Sequence, residues 1–134
     1  MILKLIRRVL VGVGFVNIYV PLVFGDKRRL HLHKSVKPVN TLFNVVSGDI
    51  FVDEGSFFGH NCMVLTGRHH REPGKDMQVV VPVSGYDIHI GKRCWIASGA
   101  IILGGVTIGD DITVAAGAIV TKNIPSGSFV KGVC

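Results

Sequence analysis

Between Ile90 and Val120 an aliphatic residue returns on every sixth position: Ile90, Ile96, Ile102, Ile108, Val114 and Val120. A helix repeats near 3.6 residues and a strand every two, so neither alone explains a step of six. Three short strands joined by tight corners do, if each side of a triangle takes six residues and points one aliphatic side chain inward. The positions two before each of these agree: Ile88, Cys94, Ala100, Val106, Ile112 and Ala118 are small or apolar. The residues just after them are Gly91, Ala97, Leu103, Gly109, Ala115 and Thr121, mostly small, as a crowded corner requires. The same register runs upstream through Val46, Val52, Phe58 and Val64, with Ile50, Ser56 and Cys62 as second inward positions. A fixed short period of this kind predicts a solenoid of stacked triangular turns.

The register breaks once. Val64 and Ile90 are 26 residues apart, which is no multiple of six, and "GRHHREPGKDMQ" (67–78) between them is polar and unrepeated. A loop over 67–82 therefore leaves the solenoid near Gly67 and returns near Val83. Loops on a rigid scaffold commonly carry function. Upstream, "VLVGVGFVNIYVPLVF" (9–24) is apolar, but Asn17 and Pro21 interrupt it and no small-residue cleavage site follows, so neither a membrane span nor a signal peptide fits well. Ile2, Leu5, Ile6, Val9 and Val13 fall at helical spacing. The expectation is two parts: a segment 1–39, helical then irregular, resting on the core or a membrane surface, and a solenoid domain 40–134.

Composition adds little to the fold and something to the partners. The 134 residues suit one domain. The net charge of +6 is concentrated at the N-terminus, where Lys4, Arg7, Arg8, Lys27, Arg28, Arg29, Lys34 and Lys37 face only Asp26. No aromatic interleaving or helix-turn-helix accompanies that charge, so a nucleic-acid partner is not expected; a solvated face or an anionic membrane surface fits better. Cys62, Cys94 and Cys134 show no metal or disulfide spacing, and the first two lie on inward columns. His31 and His33 alternate on a predicted edge strand, with no third ligand in sight for a metal.

A histidine at the exposed base of a loop is a general-base candidate, since the ordinary imidazole pKa of about 6.5 lets it take a proton at neutral pH. His69 and His70 both qualify. Trp95 follows the inward Cys94 and so points outward, where a tryptophan needs cover.

The stretch "IGKRCWIASGAIILGGVTIGDDITVAAGAIVTKNIPSG" resembles the hexapeptide-repeat acyltransferases, most nearly the galactoside, maltose and polysaccharide O-acetyltransferases, and the likeness extends over about residues 40–133. It implies an all-β fold, the left-handed parallel β-helix, and acetyl-CoA as co-substrate without a metal. It implies direct transfer to a carbohydrate hydroxyl with His69, after the Thr-Gly pair, as general base. Trp95 would cover the cofactor arm or a neighbouring subunit. Backbone N–H groups at Ala97 and Ser98 would face the thioester. Ala116, Thr121 and Lys122 would meet the phosphates. Asn40, Asn44 and His70 are candidates for the acceptor. A homotrimer with sites between subunits, and a cytoplasmic location with the inner membrane face as an optional contact, complete the expectation. Similar chains continue past "GV" with Pro-Ala and a closing element, where this sequence ends "FVKGVC"; either the sequence is trimmed, or the tail is absent and the adenine end would be held less firmly. An N-acetyltransferase on an amino sugar or antibiotic, and a non-catalytic scaffold, are the alternatives. A γ-class carbonic anhydrase is disfavoured because Leu65 stands five residues after His60, where that class has a histidine ligand.

Overall fold

The computed structural model describes residues 19–76 and 81–134; the helix expected near the N-terminus falls on residues 1–18, outside them. Five triangular turns stack along one axis. The first comprises β1 (Leu22–Phe24), β2 (Leu30–Leu32) and β3 (Lys37–Pro38). The second holds β4 (Leu42–Asn44), β5 (Ile50–Val52) and β6 (Phe57–Phe58); the third, β7 (Met63–Leu65), β8 (Ile88–Ile90) and β9 (Trp95–Ile96). The fourth holds β10 (Ile101–Leu103), β11 (Thr107–Ile108) and β12 (Thr113–Val114); the fifth, β13 (Ile119–Val120) and β14 (Phe129–Val130). Every pairing is parallel, in three sheets: β1-β4-β7-β10-β13, then β2-β5-β8-β11, then β3-β6-β9-β12-β14. The solenoid thus begins at Leu22, upstream of the boundary at residue 40. The earlier strands escape the six-residue pattern because their turns are longer: Leu30 pairs with Ile50, 20 residues on, whereas Ile101 pairs with Ile119, 18 on.

The inward positions behave as the period requires. Ile90, Ile96, Ile102, Ile108, Val114 and Val120 are all buried, and so are their companions two residues earlier. Each fully buried Ile or Val contributes about 1.5–3 kcal/mol of hydrophobic stabilisation, so the axial columns are the main source of stability. Ser56 is the polar exception on an inward column. Its hydroxyl donates to the Gly91 carbonyl at 2.6 Å and accepts from the Cys94 N–H at 2.9 Å, so nothing polar is stranded.

One inward position is misread by the period. Val46 is only half-buried, and Phe43 and Val45 are buried instead. The step from Phe43 to Val52 is nine residues rather than six, because the corner between β4 and β5 carries extra residues. The β1–β2 corner takes the same nine-residue step, from Val23 to Leu32, whereas the corners of the upper turns are tight. Asn40, Asn61, Gly99 and Gly117 occupy one corner column, all at positive φ, which glycine and asparagine adopt most readily. Gly59 is required for a different reason: a Cβ there would lie 2.5 Å from the Ser98 nitrogen of the next turn.

Candidate active site

The widened β4–β5 corner and the loop base meet at one edge of the first sheet. Asn44 ends β4 beside Leu65 of β7. Its Oδ1 accepts from the Val46 N–H at 3.0 Å, and its amide nitrogen lies so close to Gly67 that a Cβ there would be 2.5 Å away. Thr66 is buried; its hydroxyl donates to the Asn44 carbonyl at 2.8 Å and accepts from the Ser47 N–H at 3.2 Å. The loop then emerges, with Arg68, His69 and His70 exposed. Asn44 thus touches the chain two residues before His69. Asn40 does not: it sits at the opposite edge of the sheet, bonded through its side chain to Asn61.

Two turns further along, the same edge carries Thr121 and Lys122, both exposed. The Thr121 N–H donates to the Cys134 carbonyl at 2.7 Å, and its hydroxyl donates to the same oxygen. The opposite edge carries Ser98, with Ala116 one turn above; Gly117 N–H donates to the Ser98 carbonyl at 3.0 Å. Trp95 points out of the third sheet, 48% exposed, and stacks on Phe57 with ring centroids 6.0 Å apart. Between the two edges, the outer surface of the first sheet is an apolar ladder in register: Leu22, Leu42, Met63, Ile101 and Ile119. One chain therefore carries the expected site residues in two groups, one along each edge of an apolar face, with His69 and Ser98 on opposite edges.

One expected role fails on geometry. The Ala97 N–H donates to the Val114 carbonyl at 2.9 Å, so it is spent on the next turn and cannot serve an oxyanion. The Ser98 N–H has no protein acceptor among the described residues. Its hydroxyl accepts from the His60 N–H at 3.0 Å, which fixes the corner.

The thiols offer no alternative nucleophile. Burial pushes both Cys62 and Cys94 above the ordinary thiol range, so neither presents a thiolate. Among the described residues no group of three His, Cys, Asp or Glu is placed to hold a metal ion. A groove of about 380 Å³ runs beside Phe51, His89, Asp53 and Asp110, on the second sheet and away from every expected site residue. There His31, Phe51 and His89 stack at 4.5 and 4.6 Å.

Asp49 closes the widened corner. It accepts from Arg29 Nε at 2.7 Å and pairs with His31 Nε2 at 2.9 Å, and these bonds, that of Arg29 first, hold its carboxyl below the ordinary range. A depressed carboxyl adds stability above its unfolded pKa of about 4 and loses it as pH falls through the lower folded value. Asp49→Asn should therefore lower the unfolding temperature at neutral pH, and the gap from wild type should close progressively below about pH 4. A gap that persists undiminished in acid would show the pairing to be idle.

Ser47, Arg68 and Tyr86 escape the sequence reading because counting back by six from Val52 reaches Val46 and hides the nine-residue step at this corner.

Residues 87–122 match the family of bacterial transferase hexapeptide proteins, six repeats. A galactoside O-acetyltransferase of Lactococcus lactis is 32% identical over 109 residues, 81% of this chain and 51% of that protein. Another from Escherichia coli is 29% identical over 115 residues, 84% of this chain and 55% of that one. The chain thus spans about half the length of these curated relatives. Among solved structures, a maltose O-acetyltransferase from Clostridium difficile aligns with TM-score 0.55 and 23% identity, covering 82% of this chain and 60% of that one. A hexapeptide-repeat acetyltransferase from Vibrio cholerae, complexed with acetyl coenzyme A, aligns with TM-score 0.55 and 18% identity, covering 94% and 71%. These likenesses establish the architecture as the left-handed parallel β-helix.

Proposed function

The chain belongs to the bacterial hexapeptide-repeat transferase family, and from that premise we propose that it moves an acetyl group from acetyl-CoA to a carbohydrate hydroxyl. The observation that carries the reading is the single edge on which the loop base of His69, the Asn44 amide and Lys122 are aligned. Relatives named for galactoside and maltose acetylation support the sugar, and a neighbour complexed with acetyl-CoA supports the donor.

The chemistry needs no covalent enzyme. His69 takes the proton of the acceptor hydroxyl as that oxygen attacks the thioester carbonyl. The tetrahedral oxyanion is met by the Ser98 N–H of the opposing edge. The C–S bond then breaks, the new C–O bond remains, and the imidazolium returns its proton to the departing coenzyme A thiolate. Asn44 holds the acceptor close to the base, and Lys122 meets the phosphates, both donors of Thr121 being turned to the Cys134 carbonyl.

Since His69 and Ser98 lie on opposite edges, a complete site needs two copies. The apolar ladder of the first sheet supplies a face for that apposition, and a closed ring of three completes three sites. Among the described residues no helix is long and apolar enough to cross a membrane. The proposed donor is a cytoplasmic metabolite, and the expected contact with the membrane surface falls on residues 1–39, of which 1–18 lie outside the described residues.

The test is thiol release from acetyl-CoA with galactosides and maltose as acceptors, read with the acceptor's mass gain of one acetyl group. Failure to bind coenzyme A at all would end the proposal. Trp95 gives a sharper check. Its exposed ring is proposed to lie along the cofactor arm, so Trp95→Ala should raise KM for acetyl-CoA about tenfold, a loss of roughly 1.4 kcal/mol of binding. An unchanged KM would leave the tryptophan only a packing role.

A further inference from the structure

Like the β1–β2 corner below it, the widened corner between β4 and β5 spends extra residues without projecting a loop of its own. Its side chains and backbone are instead turned towards the neighbouring turn. The buried Ser47 grips both ends of the inserted loop: its hydroxyl accepts from the Arg68 N–H at 3.2 Å, and its carbonyl accepts from the Tyr86 N–H at 3.2 Å. Gly48 lets the returning strand press in, since a Cβ there would meet the Tyr86 carbonyl carbon at 2.5 Å. The two ends also hold each other, with the Arg68 guanidinium carbon 5.2 Å from the centre of the Tyr86 ring. On the far side, the Tyr86 Cβ would lie 2.9 Å from a Cβ at Gly104 of the following turn. The loop base is therefore wedged between the second and fourth turns, and His69 is the next residue after Arg68.

We propose that Ser47, Arg68 and Tyr86 form a clamp whose task is to position His69, Tyr86 and Arg68 being positioning residues for the acetyl transfer. The proposal rests on the reading of His69 as general base. The wedge fixes the backbone one residue from the imidazole. A misplacement on the order of 1 Å at a reacting group can cost about 100-fold in rate, so a clamp at this point has a large lever.

The experiment is a cycle of variants assayed by acetyl-CoA thiol release with a panel of galactosides and maltose, alongside unfolding temperatures. Tyr86→Leu removes the ring and should lower kcat about 10- to 100-fold with KM for acetyl-CoA nearly unchanged. Tyr86→Phe keeps the ring and should restore the rate. Arg68→Ala changes an exposed side chain that the fold tolerates and should give the same loss, with Arg68→Lys recovering part of it. In a His69→Ala background, Tyr86→Leu should cause no further loss. A folded Tyr86→Leu or Arg68→Ala protein with wild-type kcat would overturn the clamp while leaving His69 as base. The same loss with and without His69 would overturn it too, by showing a merely structural role. Full activity in His69→Ala itself, or no transfer to any sugar by the wild type, would instead remove the underlying reading and the clamp's task with it.

Discussion

His69→Ala is expected to lower kcat by about 100- to 10,000-fold, the range lost when a positioned general base is removed. KM for acetyl-CoA should hardly move, because the proposed donor contacts at Trp95 and Lys122 are separate from the loop. The unfolding temperature should hold as well, since His69 is exposed and lies outside the buried core. That combination, a lost rate on an intact fold with intact donor binding, separates a base from a structural histidine. His70→Ala is the internal control: one residue further from the clamp, it should cost far less. Were His70→Ala the crippling change and His69→Ala the mild one, the base would have to be reassigned within the same loop.

Phe58→Ala is expected to cost about 3–5 kcal/mol of stability. Phe58 is 1% exposed and meets Phe43 edge to face, ring centroids 5.5 Å apart at 84°. These two rings fill the axis of the lower turns, where the widened corner makes the triangle broader than an Ile or Val column would fill. Truncation leaves a void the stiff parallel sheets cannot close. Domains of this size hold only about 5–15 kcal/mol in total, so the variant should melt far below wild type in a thermal scan. A loss under about 1 kcal/mol would mean that the lower turns relax around the gap.

The upper turns were legible because hexads from Ile88 to Val120 step evenly and each inward residue is buried. The lower ones were legible only in part. Counting back by six from Val52 reaches Val46, but the corner holds three extra residues and hands its place to Val45 and Phe43. The first turn went unread since its partners stand 20 residues away and its strands are short. At the candidate site, the broken period pointed to the loop and hence to His69. It could not point to Tyr86 or Ser47, whose contacts exist only once residues far apart in the chain are brought together. Nor could it disclose that the Ala97 amide is already committed, because that depends on Val114 lying in register one turn above.

Each turn of the prism touches only the turns beside it, which makes the molecule a short one-dimensional stack. Asn44 rides on the second turn, His69 leaves the third, and Lys122 sits on the fifth, above which Val133 already pairs with Ile119. Loosening of the fifth turn would therefore weaken the proposed grip on the nucleotide while the proposed base stays seated between the second and fourth turns. Under mild denaturing stress such a protein would release its proposed donor before losing its shape.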